Sequence, residues 1–206
     1  MKLWFRLAAG LALGWLLFIP ATAAQAQTQE YVAFLTGPNE SPSNNSPGTG
    51  FSLVTLDLAA HTMHVQVTFS GLTAGTTASH IHTPTAVPGI GTAGVATTTP
   101  TFPGFPLGVT SGSYDQTFNL TQASSYNPAF VTANAGSVPA SEAALISGIQ
   151  NGRAYLNIHT TAFPSGEIRG FLQAVPEPSA ALLVLPSLAL LPLLRRKRPA
   201  LSTPAA

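Results

Sequence analysis

Between positions 27 and 174 apolar residues recur at every second place in short runs, and Gly, Pro, Ser and Asn bound each run. A period of two is the mark of a strand with one face turned to a core. The runs predict strands over 31–35, 51–58, 63–69, 78–82, 94–98, 113–120, 153–159 and 167–172, with 51–58 and 63–69 paired as a hairpin around Ala60 and His61. One segment breaks the pattern: 141–150 reads as a helix, with Ser141 as its N-cap and Gly152 just beyond its end. The segments 38–50 and 100–108 are rich in Pro, Gly and Ser and are expected as exposed loops. The fold class predicted is all-β, an antiparallel sandwich or barrel with one short helix.

The two ends depart from this pattern. Lys2 and Arg6 precede an apolar run over 7–19, and Pro20 leads into small residues with Ala-x-Ala cleavage points after Ala23 and Ala26. This is the layout of a cleavable signal peptide, expected over 1–26 with signal peptidase as its processing partner. At the other end Val175, Pro176, Glu177 and Pro178 precede an apolar stretch over 180–194 and the cluster Arg195, Arg196, Lys197, Arg198. A turn, a short apolar helix and a basic cluster in that order describe a segment held at a membrane with its positive end inside. The order resembles the PEP-CTERM sorting signal. That resemblance implies handling by an exosortase-type enzyme and a tail over 175–206 with a short transmembrane helix. The implied route is an inner-membrane intermediate, then the cell surface or the extracellular matrix.

Setting the ends aside changes the charge. The segment 27–174 keeps two basic residues, Arg153 and Arg169, against six carboxylates, a formal charge of −4 where the whole chain carries +1. Nucleic acid is not expected as a partner. The chain has no cysteine, so no disulfide staples the fold.

Four stretches carry a second resemblance: FLTGPNESP, GTGFSLVTLDLAAHTMHVQVTFSGLT, ASHIHTP and GRAYLNIHTTAFPSGEIRGFL. Together they resemble the CHRD domain over 31–173, and the closing motif Gly166, Glu167, Ile168, Arg169, Gly170 is its most specific piece. The resemblance implies an immunoglobulin-like β architecture and no established activity.

His80 and His82 stand at i and i+2 on a predicted strand and therefore share one face, with Ile81 on the other. If Leu156 and Ile158 face the core, His159 faces away from it, and the same parity places Glu167 and Arg169 opposite Ile168. His80, His82, His159 and Glu167 thus form a candidate metal set on outward faces. Three imidazoles, with or without a carboxylate, suit copper or zinc. The alternative is that Glu167 pairs with Arg153 or Arg169. Gly71 to Gly75 followed by the His80-x-His82 pair is also similar to copper-zinc superoxide dismutases, which implies His80, His82 and His159 as copper ligands on a related β sandwich. No histidine lies between His82 and His159, so the bridging ligand and zinc subsite of those enzymes have no counterpart.

Other signals fail on context. Gly89-x-Gly91-x-x-Gly94 opens no predicted helix and reads as a turn, and no G-x-S-x-G nucleophile motif is present. Two functions are therefore expected in competition. One is an exported, non-enzymatic binding or structural module associated with exopolysaccharide. The other is a copper or zinc protein built on the three histidines, with redox chemistry open to it.

Overall fold

The computed structural model describes residues 28–176. Eight strands form one antiparallel sheet: β1 Thr28–Thr36, β2 Thr49–Asp57, β3 Thr62–Ser70, β4 Thr76–His82, β5 Gly112–Asn119, β6 Tyr155–Thr160, β7 Ile168–Phe171 and β8 Gln173–Ala174. Their order is β4-β6-β7-β1-β2-β3-β5, with β8 also beside β1. The sheet curls over one core as a half-barrel or sandwich.

Alternation decides which face is inside. Tyr31, Ala33 and Leu35 of β1, Val54 and Leu56 of β2, and Met63, Val65, Val67 and Phe69 of β3 are all buried, while their neighbours in sequence are exposed or half-buried. The β2–β3 hairpin keeps an unbroken register from Thr49↔Ser70 to Asp57↔Thr62, so these side chains meet in one layer. Its turn falls at residues 60 and 61, where the sequence expects one, and takes His61 to φ 54°.

β6 behaves differently. Tyr155, Leu156, Asn157 and Ile158 are buried in succession, so both faces of this strand are covered. Leu156 and Ile158 enter the core, and the opposite face lies beneath loops. Gly89 and Gly91 in the loop after β4 take φ of 75° and 87°, which glycine adopts without strain, confirming a turn rather than a dinucleotide fingerprint.

Several expectations are corrected. Among the described residues there are two α-helices, α1 Pro128–Ala133 and α2 Val138–Gln150. The second starts three residues ahead of the expected Ser141, because Ser137 caps it by accepting from the Ala140 N–H. The first was missed, since six residues are too few for a helical period, although Asn127 followed by Pro128 is a start signal. Residues 94–98 form only isolated bridges, His82↔Val95 and Thr97↔Tyr126. The expected loops are not wholly exposed: Glu40, Phe102 and Phe105 are buried.

The expected signal peptide at 1–26, the apolar stretch 180–194, the basic cluster, and Glu177 and Pro178 of the sorting motif lie outside the described residues. Within them, Val175 donates its N–H to the Glu30 carbonyl, continuing the β8–β1 pairing. Among the described residues no helix is long and apolar enough to cross a membrane. The expectations of a transmembrane helix, an inner-membrane intermediate and a cell-surface or matrix location find no support among the described residues and are withdrawn.

Gly170 of the closing motif shows why the fold needs its small residue there. A Cβ on it would lie 2.4 Å from the Phe34 carbonyl oxygen and 3.1 Å from Ala33 Cβ, so β7 would have to move off β1. Gly170→Ala is expected to cost about 3 kcal/mol, the upper end of overpacking. A denaturant titration checks this; a variant as stable as the parent would show that the two strands separate freely.

Candidate metal centre

β4 and β6 pair with His80 opposite Asn157, His82 opposite Tyr155 and Ala78 opposite His159. Strand parity then sets His80, His82, Tyr155, Asn157 and His159 on one face. The ring centroids are 5.8 Å apart for His80 and His82, 5.4 Å for His80 and His159, and 6.3 Å for His82 and His159. One nitrogen from each ring lies within 4.8 Å of the others.

Each imidazole is held by its second nitrogen. His80 Nε2 donates to the Pro100 carbonyl at 2.7 Å, His82 Nδ1 to the Ala93 carbonyl at 2.9 Å, and His159 Nδ1 to the Pro164 carbonyl at 2.9 Å. A carbonyl only accepts, so each of these nitrogens carries the proton and the other ring nitrogen carries a lone pair. Those remaining atoms, His80 Nδ1, His82 Nε2 and His159 Nε2, are buried and have no hydrogen-bond partner. Outer carbonyls that fix tautomer and ring orientation are the usual support of metal-binding histidines. Tyr155 adds to it, stacking on His82 with centroids 4.8 Å apart and planes 7° from parallel.

Burial keeps these rings neutral. His80 and His82 are 6 % and 8 % exposed, not outward-facing as expected, because the loops carrying Ala93 and Pro100 cover that face. Burial pushes the His80 pKa down to about 4, with repulsion from His159 and His82 adding to it against the pull of the Pro100 carbonyl. Burial likewise lowers His82 and His159.

Glu167 does not join them. Its carboxylate accepts from Ser46 Oγ at 2.5 Å, Thr73 N–H at 2.6 Å and Thr160 Oγ1 at 2.5 Å, and the residue is fully buried. Burial alone would raise its pKa, but those bonds outweigh it and leave the group below the usual carboxylate value. Parity fails here because Glu167 precedes β7 and follows Gly166, whose φ of 130° turns the chain. It also pairs with neither arginine. Arg153 donates to the Thr85 carbonyl, and Arg169 lies 3.7 Å from Glu40. Ile168 is fully buried in the core, as the parity reading expected.

Two site residues escaped the sequence reading. Glu40, expected in an exposed loop, is buried against Arg169 and Gly166; burial raises its pKa to about 7, with Arg169 opposing. Asn157 lies among the imidazoles, and its place two residues before His159 was the available signal. His61 and His64 take no part: they bond Glu142 and Asp115 at 2.7 and 2.6 Å on the surface.

Comparison with curated proteins gives no match, and comparison with solved structures gives none. Residues 31–172 match the CHRD domain, a span that includes all three histidines and both strands that carry them. By that match, which covers well over half of its length, the chain belongs to the CHRD domain family.

Proposed function

We propose that this CHRD domain is a metal-binding domain that holds one copper or zinc ion through His80 Nδ1, His82 Nε2 and His159 Nε2. One observation carries the reading: three convergent imidazole nitrogens, each buried, each without a partner, and each opposite a ring N–H fixed on a backbone carbonyl. A buried polar atom left unpaired costs stability, and three in one patch need a common explanation that a cation supplies. Imidazole suits both metals, and for nitrogen sites affinity rises to copper(II) and drops again at zinc, so copper is the better-fitting ion. The similarity to copper-zinc superoxide dismutases in the His80-x-His82 segment supports the same choice and the same sandwich class. With three protein nitrogens, the ion keeps a position for an exogenous ligand. The CHRD fold also supports a structural or binding role, and a bound ion serves that role by tying β4 to β6.

Proton competition gives the test. An ordinary imidazole protonates near pH 6.5, so protons begin to compete with the metal as the pH falls below that value. Here the free rings resist protonation, His80 down to about pH 4. The full chain, loaded with copper and dialysed, is therefore expected to keep one equivalent down to roughly pH 5 and lose it near pH 4. Half-loss already at about pH 6.5 would mean that the metal sits on exposed histidines instead.

A further inference from the structure

Asn157 stands at the centre of the imidazole patch. His80 lies directly across from it, His82 on the diagonal, and His159 two residues along its own strand. It is 2 % exposed, and its Oδ1 is buried without a hydrogen-bond partner. Arg169 faces it from β7, but that guanidinium is engaged with the Asn39 and Gly91 carbonyls and lies 4.7 Å over the Tyr155 ring. Among the described residues six buried side-chain atoms lack a partner, and four of them belong to this one patch. The ion accounts for three. The fourth is an oxygen with a lone pair to fill.

Resting on the three-histidine reading, we propose that Asn157 is a specificity-determining residue, whose Oδ1 accepts a hydrogen bond from the exogenous ligand on the metal. The ligand class it selects has a proton on the coordinating atom: water, an alcohol or a hydroperoxide. A proton-free anion in the same position leaves Oδ1 buried and unpaired, which sites built around a polar contact reject. The amide does this without adding charge, so it neither competes with the ion nor repels an anion by its own charge.

The test is an azide titration of the copper-loaded full chain, followed by the azide-to-copper charge-transfer band, in the parent and in Asn157→Leu. Azide displaces the bound water and orphans Oδ1 only where Oδ1 exists. The leucine variant is therefore expected to hold one copper and bind azide about tenfold more tightly. Asn157→Val, smaller and well suited to a strand, carries the same expectation where leucine fails to fold. Azide affinity within about twofold of the parent, in either folded and copper-loaded variant, overturns the role of Asn157. A parent chain that takes up no copper overturns the three-histidine reading itself, and the copper content alone tells the two failures apart.

Discussion

His82→Ala is expected to abolish stoichiometric metal binding while leaving a folded chain. His82 supplies one of three nitrogens, and no other His, Cys, Asp or Glu joins the group among the described residues. Loss of an outer partner to a ligand costs roughly 10–100-fold in affinity, so loss of the ligand itself should exceed that, on the order of 1,000-fold. The cleanest readout is thermal. A ligand present at about 1,000 times its Kd adds about 4 kcal/mol to folding, so the parent chain should melt well above its metal-free value. The variant should show no such gain. Without metal the substitution forfeits the stacking on Tyr155 and the bond to Ala93, but it also removes an unpaired nitrogen, and these effects oppose each other. A variant that still gains the parent's full stabilisation from copper would place the ion elsewhere.

Glu167→Ala is expected to be the most destabilising single change, by about 4 kcal/mol, with metal content untouched. The carboxylate is fully buried and joins three parts of the chain: Ser46 before β2, the Thr73 backbone after β3, and Thr160 at the end of β6. Alanine leaves two hydroxyls and one backbone N–H without their acceptor, the Thr160 hydroxyl fully buried and the other two donors partly so, and each hydrogen bond to a charged group contributes about 1.5–3 kcal/mol. For a domain near 150 residues that corresponds to a fall in Tm of roughly 10 °C. Glu167→Gln, which keeps one oxygen acceptor, should recover part of the loss. Because Thr160 and His159 point to opposite faces of β6, copper retention below the melting point should match the parent's. Melting unchanged by the alanine substitution would show that the motif is no structural lock.

The hairpin and the His80-x-His82 pair were legible in the sequence for one reason: both lie inside paired strands, where a period of two holds residue by residue. His159 was legible by the same parity, once Leu156 and Ile158 were taken as core. Glu167 was misplaced because that rule stops at the last paired residue, and Gly166 turns the backbone just before β7. Burial of the site was not legible either. The covers over His80, His82 and His159 are the carbonyls of Pro100, Ala93 and Pro164, backbone groups in Pro- and Gly-rich loops whose composition signals exposure. Glu40 failed for the same reason, since it is long-range contact with Arg169 that draws its loop inward.

Electron paramagnetic resonance of the full chain titrated with copper(II) tests the central claim most directly. The expected result is saturation at one copper per chain, with couplings to three imidazole nitrogens that disappear together when His80, His82 and His159 are all replaced. Copper bound at less than one equivalent, or a spectrum unaltered in that triple variant, would contradict it.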